Sequence, residues 1–294
     1  MTARHSHRTG YSLLELLVAV AIIGVLLALT TAAAQKVRAS ALRTERANWH
    51  YQRALGEAVP RKLPLKVLFV GNSFTFTNDI PGLTVALSRA ADAKPELIVD
   101  SHVVGGATLE SHWNDGAALA KIQSTDWDIV ILQEQSQRPL RAFGRDALFY
   151  PFARKFAAEI RAAGAIPLFY MTWARPDMAP APQQLWTESY SDLTKELTAE
   201  CAPVGVAFER FKQAFPGTAL TTDGNGHPSP QGAYLAACTF YAALYRKSPE
   251  GLPNRVETGS AITTIPPAEA TAMQKAAWES WRQIEMRTRA EWKP

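Results

Sequence analysis

Residues 66–75 read KVLFVGNSFT. The run KVLFV is short, rich in Val, Leu and Phe, and lacks strict polar alternation, as a strand buried on both faces requires. The chain leaves that run through Gly71, Asn72 and Ser73. A serine held at the turn after a buried strand is either part of an ordinary loop or a placed nucleophile.

Four further apolar runs match the first: ELIVDSHVV (96–104), DIVIL (128–132), IPLFYM (166–171) and VGVAF (204–208). Helical patterns lie between them near 81–93, 107–122, 145–164 and 184–202, and another opens at Ser229. Alternating strands and helices predict an α/β fold, a three-layer α/β/α sandwich around a mostly parallel five-stranded sheet. Ligands in such folds bind beyond the C-terminal ends of the strands. Ser73 is therefore expected at the edge where chemistry occurs. Residues 247–266 read as loop, and 267–288 as a helix packing Met273, Ala277, Trp281 and Ile284 against the core.

A serine hydroxyl needs a base to take its proton. Of six histidines, His5, His7 and His50 precede the first strand, His102 falls within a strand and His112 in a helical stretch. His227 sits in TTDGNGHPSPQGAYLAAC (221–238), between a polar turn and an apolar helix. Ser229 and Pro230 make a helix start, with Ser as cap and Pro at the first position. Asp223, four residues before the histidine, is the candidate to orient its ring.

The order Ser, Asp, His, with the last two on one loop, resembles the SGNH (GDSL-like) hydrolases over about residues 66–246, within a poorly characterised bacterial subgroup. GNSFT resembles the first block of that family and GGATLESHW (105–113) the second. DIVILQEQS (128–136) stands at the third, and DGNGHPSPQGAYLAAC at the last. The GxSxG elbow of the other large α/β hydrolase class is absent around Ser73. The resemblance implies Ser73 as nucleophile, His227 as base, Asp223 as orienting acid, and an oxyanion hole from the Ser73 and Gly105 or Gly106 amides. Two departures stand out. The family's third block normally ends in Gly-x-Asn-Asp, whose Asn reaches into the oxyanion hole. Here Gln133, Glu134, Gln135 and Ser136 follow the strand, so Gln133 or Gln135 is the candidate substitute. The family also usually places two residues between its Asp and His, and here three intervene. Asn72 is expected to hold the turn by an Asx-type bond. Further candidates for the substrate pocket are Asn72 itself, His112, Trp113 and Trp173, although packing explains Trp173 as well.

The chain's 294 residues carry a net charge of +4, but residues 1–62 hold nine Lys/Arg against three Asp/Glu, and the remainder is slightly acidic. The basic character belongs to the N-terminal arm, and no nucleic-acid partner is expected. No Cys or Cys/His spacing suggests a metal, and neither metal nor cofactor is expected. Cys201 and Cys238 read as two buried thiols in helices.

From Leu16 to Ala34 run 19 residues without a charge. As a helix they span roughly 30 Å, enough to cross a bilayer. Glu15 at the start of this run is costly in lipid and needs a reason. Gly10, Tyr11 and Glu15 resemble a type IV prepilin signal: a basic leader ending in Gly, an apolar first mature residue, and Glu at the fifth. The resemblance implies cleavage after Gly10 by a prepilin peptidase and methylation of the new N-terminus. A plain uncleaved anchor, and a secretory signal cut near TAAAQ (31–35), are the competing readings. The expected organisation is a leader over 1–10, a transmembrane helix over 11–34, a helical spacer over 35–64 and a hydrolase domain over 65–294. Arg4 and Arg8 place the N-terminus in the cytoplasm and the domain outside the inner membrane, in the periplasm or at the cell surface. The expected activity is that of an esterase acting on an acylated, preferably acetylated, carbohydrate or related small-molecule ester. The alternatives are an inactive pilin-like structural or binding protein, and a lipid or thioester hydrolase.

Overall fold

A computed structural model describes residues 13–55, 63–178, 181–222, 224–259 and 261–290. The chain divides into two units, Met1–Val59 and Pro60–Pro294. Among the described residues, the first contains one helix, α1 (Leu13–Leu55). Its segment Leu16–Arg38 is long and apolar enough to cross a membrane, with a mean hydropathy of 2.7. None of that segment is buried in the protein. Its length and composition are those of a segment able to span a bilayer. Gly10 and Tyr11 lie outside the described residues, as does the side chain of Glu15.

The second unit runs β1 (Leu65–Gly71), α2 (Ser73–Phe76), α3 (Ile80–Ala90), β2 (Leu97–Val103), α4 (Leu109–Asp115), α5 (Ala117–Ser124) and β3 (Ile129–Leu132). It continues through α6 (Tyr150–Ala162), β4 (Ile166–Tyr170), α7 (Gln184–Leu197), β5 (Glu200–Ala202), α8 (Val204–Ala214) and α9 (Pro230–Tyr245). A two-stranded antiparallel pair, β6 (Arg255–Glu257) and β7 (Ile262–Thr264), precedes the last helix, α10 (Pro267–Ala290). The main sheet is parallel throughout, in the order β2-β1-β3-β4-β5. β1 lies beside both β2 and β3, so its C-terminal end is a switch point of the winding, where open α/β sheets bind ligands.

Strand alternation divides the core into two layers. Leu68, Val70, Val130, Leu132 and Phe169 face one way and pack with Phe149, Phe156, Trp186 and Tyr190 from the α6–α7 side. Phe69 and Tyr170 face the other way and meet Phe240 of α9 edge-on at 5.1 and 4.9 Å. α3, α8, α9 and α10 form that second layer. Every residue of α9 from Gly232 to Tyr245 is buried, because neighbouring helices and the sheet enclose it. The stripe Met273, Ala277, Trp281 and Ile284 of α10 is buried, as its spacing predicts, with Ile284 reaching the first layer of the core.

Three expectations are corrected. VGVAF is not a strand: residues from Val204 form α8, and the fifth strand is the three-residue segment Glu200–Ala202 immediately before it. Pro203 separates the two, and apolar residues at Val204, Ala207, Phe208 and Phe211 fit a helical period better than a strand. Cys201 consequently lies in a strand and Cys238 in a helix; both are buried and unpaired with each other. Residues 247–266 are not wholly loop, since they contain β6 and β7.

Candidate active site

The nucleophile turn is built from the end of β1. Gly71 is packed so closely that a Cβ would lie 2.6 Å from Gln133 Oε1 and 2.7 Å from Thr75 Oγ1. A side chain there would displace both. Asn72 leaves the strand in an extended conformation and caps α2, its Oδ1 accepting from the Phe74 amide at 3.0 Å. This is the Asx-type bond the sequence predicts. The Asn72 Nδ2 donates to the Ala107 carbonyl at 2.8 Å, and the Asn72 amide donates to Gln133 Oε1 at 2.8 Å. The residue before the serine is thereby tied to the loops that follow both neighbouring strands. Ser73 is the first residue of α2 and is half-buried.

The histidine arrives from the other end of the domain. Thr221 and Pro228 form an isolated antiparallel bridge, and the Thr222 amide donates to the His227 carbonyl at 2.9 Å. Ser229 caps α9, its Oγ accepting from the Gly232 amide at 3.1 Å, with Pro230 in the first turn. Trp173 Nε1 donates to the Gly226 carbonyl at 2.9 Å, and Asn78 Nδ2 donates to the Pro228 carbonyl at 2.8 Å. These bonds grip the loop on both sides of His227. Its Nε2 lies 2.8 Å from Ser73 Oγ, joining residues 154 positions apart. The Phe74 ring meets the imidazole edge-on at 5.6 Å. With Nε2 as acceptor, the hydroxyl is placed to give up its proton along a direct hydrogen bond. Asp223 lies outside the described residues.

The oxyanion candidates lie across the β1 end. The Val104 amide donates to the Gly71 carbonyl at 3.1 Å, which sets the Gly105–Gly106 loop beside the nucleophile turn. Gly106 has φ +70°, a left-handed conformation that glycine adopts without strain. Both glycines are exposed, and neither amide bonds to another described residue. The Ser73 amide, at the first position of a helix, likewise has no intrahelical acceptor.

The two glutamines separate. Gln133 is fully buried. Its Oε1 accepts from the Asn72 amide and from Thr75 Oγ1 at 3.0 Å, and its Nε2 donates to the Glu134 carbonyl at 2.6 Å. It braces the nucleophile turn, and its full burial, with one Nε2 hydrogen already given to Glu134, sets it in the core rather than in an open oxyanion hole. Gln135 is partly exposed. Its Oε1 accepts from the Gln137 and Arg138 amides at 2.9 and 3.3 Å, and its Nε2 makes no bond to another described residue. Between them, Glu134 is fully buried, and burial pushes its carboxyl up to about 8.

Several expected pocket residues do structural work instead. His112 is buried on α4, and its Nε2 lies 2.9 Å from the Gly71 carbonyl. A carbonyl can only accept, so Nε2 carries the proton. Burial, the largest effect, pushes the His112 pKa below its ordinary value. Trp113 packs edge-on against Phe156 at 5.3 Å, toward the α6 layer. Trp173 is buried and stacked between Phe74 and Phe208, at 5.0 and 4.2 Å, so neither ring face is open to a sugar. Both ends of the Asn72 amide are already bonded, so it too serves the turn rather than a ligand. The sequence reading missed Asn78 and Arg175. Arg175 reaches Ser136 Oγ at 3.5 Å and Asn225 Oδ1 at 3.3 Å, linking the third loop to the histidine loop. Asp177, two residues on, holds the Arg175 guanidinium at 2.8 Å, but the loop-linking partners of both residues lie at least 39 positions away and leave no local pattern. Among the described residues, no three His, Cys, Asp or Glu side chains gather as a metal site.

Residues 5–31 match the model of the prokaryotic N-terminal methylation motif. A comparison with curated proteins finds no match. Solved structures do match. A DUF4886 family protein from Bacteroides uniformis is 21% identical, with a TM-score of 0.58 over 74% of this chain and 94% of its own. A candidate SGNH hydrolase from Slackia heliotrinireducens is 26% identical, with a TM-score of 0.50 over 62% of this chain and 99% of its own. An acetyl xylan esterase is 14% identical, with a TM-score of 0.51 over 61% and 100%. The globular unit therefore has the fold of the SGNH hydrolases, in a chain that begins with a prokaryotic N-terminal methylation motif.

Proposed function

We propose that the protein is a membrane-anchored serine esterase of the cell envelope. The observation that carries this reading is the 2.8 Å contact between Ser73 Oγ and His227 Nε2 at the C-terminal edge of the sheet. Ser73 Oγ attacks the acyl carbon while His227 Nε2 takes its proton, and Asp223 orients the ring from the same loop. The carbonyl oxygen becomes an oxyanion received by the Ser73 amide, the Gly105 or Gly106 amide, and Gln135 Nε2. Collapse expels the alcohol, which takes the proton back from His227. Water then enters by the same route, and the acyl group leaves as a carboxylic acid. The preferred substrate is an acetyl ester on a carbohydrate. Its support is the SGNH resemblance and the fold shared with an acetyl xylan esterase, a warrant from analogy.

The anchor is α1, with the leader in the cytoplasm and the esterase domain outside the inner membrane. Prepilin peptidase would cut after Gly10, and the mass of the mature N-terminus tests this. A second reading, a pilin-like binding protein without activity, draws its support from the methylation motif. The deciding experiment is hydrolysis of p-nitrophenyl acetate by the detergent-solubilised full chain. Ser73→Ala should reduce turnover to background with the circular dichroism spectrum retained; undiminished turnover by that variant overturns the esterase assignment.

A further inference from the structure

The stretch Gln133–Gln135 departs most from the SGNH pattern, and its middle residue has no role in the chemistry above. Glu134 Oε1 accepts two backbone hydrogen bonds, from Gln135 at 2.6 Å and from Leu109 at 3.3 Å. Leu109 opens α4, four residues after Gly105. One carboxyl oxygen thus joins the glycine loop to the residue that offers a free side-chain amide. The second oxygen, Oε2, is buried with no hydrogen-bond partner among the described residues. We infer that Glu134 is a positioning residue for the oxyanion side of the site, and that it serves in its neutral form.

This inference rests on the esterase reading for its kinetic part. Burial of Glu134 outweighs the groups that favour a carboxylate, namely the two amide bonds and Arg138. Arg138, on the same loop, is already paired with Glu110 of α4 at 3.2 Å, and Glu110 opposes a second negative charge. Tyr190 of α7 is buried nearby, and a negative charge on Glu134 would raise the Tyr190 pKa. A buried carboxylate with one unpaired oxygen is costly, and desolvation accordingly moves this carboxyl to about 8. In the neutral acid, Oε1 remains an acceptor for both amides, so the brace persists without charge. Ionisation would place a negative charge beside the groups that must receive an oxyanion, and so would raise the barrier.

Three forms of the full chain separate these effects: wild type, Glu134→Gln and Glu134→Ala. Glutamine keeps a carbonyl acceptor of the same reach and cannot ionise. Wild-type kcat should fall as pH rises through about 8. Glu134→Gln should lack that alkaline limb. Glu134→Ala should lose about 10²-fold in kcat at pH 7 with KM little changed, and Glu134→Gln should lose clearly less. An alkaline limb in Glu134→Gln identical to that of wild type overturns the inference, as does equal damage from Gln and Ala.

A second readout does not require turnover. The folded chain holds a proton on Glu134 between the ordinary carboxyl value of 4.5 and about 8, where the unfolded chain has released it. Wild-type stability should therefore decline relative to Glu134→Gln as pH rises across that window, and level off above it. A difference in melting temperature that stays flat from pH 5 to 8 overturns the neutral carboxyl even if the protein is an active esterase. Absence of turnover in wild type would instead count against the esterase reading, with the stability slope still deciding the state of Glu134.

Discussion

The two halves of the site are finished to different degrees. On the proton-transfer side, Ser73 and His227 already touch, and the histidine loop is bonded at Gly226, His227 and Pro228. On the proposed oxyanion side, the Gly105 and Gly106 amides and Gln135 Nε2 have no partners among the described residues, while Glu134 and the Gln135 side-chain carbonyl oxygen are bonded around them. The contrast fits the chemistry. A nucleophile and its base must meet before substrate arrives, whereas donors aimed at a developing charge must stay free until that charge exists.

The contrast breaks first at His227. His227→Ala should lower kcat by about 10⁴-fold, because the serine loses its base while the oxyanion side remains. Steady-state kinetics on p-nitrophenyl acetate checks this, and a loss below tenfold would mean that the 2.8 Å contact is structural. Next comes the division of labour between the glutamines. Gln135→Leu should cost about 10²–10³-fold in kcat with little change in stability, as removal of one oxyanion donor does. Gln133→Leu should act in the opposite way. It strands the Asn72 amide and the Thr75 hydroxyl in the core, at about 1–3 kcal/mol for each. Denaturant unfolding of both variants separates the roles, and equal loss of stability would erase the distinction. The smallest effect is at His112. Burial lowers its pKa in the folded state, so the unfolded chain takes up a proton below about 6.5 that the folded chain resists. Stability should be lost as pH falls below that value, and His112→Gln should flatten the acid side of the curve relative to wild type.

The Ser73–His227 contact was legible in the sequence because each partner sits at a strongly marked boundary. Ser73 follows a buried strand, and His227 precedes a Ser-Pro helix start. The sheet was legible for the same reason, apart from its fifth strand. Glu200–Ala202 is too short to leave a pattern, while the more apolar VGVAF next to it became α8. The two glutamines could not be told apart, since they have the same chemistry and lie two residues apart. What separates them is burial beyond the end of β3: Gln133 is enclosed against β1, and Gln135 has emerged into the loop. Trp173 was a candidate platform, with packing the preferred reading, because it follows a strand at the binding edge. Phe74 and Phe208, 99 residues before and 35 after it, occupy both its faces, and such distant neighbours leave no local trace.

A fluorophosphonate probe offers the most direct test of the site, because it reports an activated serine without any assumption about substrate. Folded, solubilised protein should take up one probe molecule, recovered by mass spectrometry on the peptide containing Ser73, and His227→Ala should abolish that labelling. Folded wild-type protein left unlabelled at Ser73, or labelled equally fast without His227, would contradict a catalytic pair.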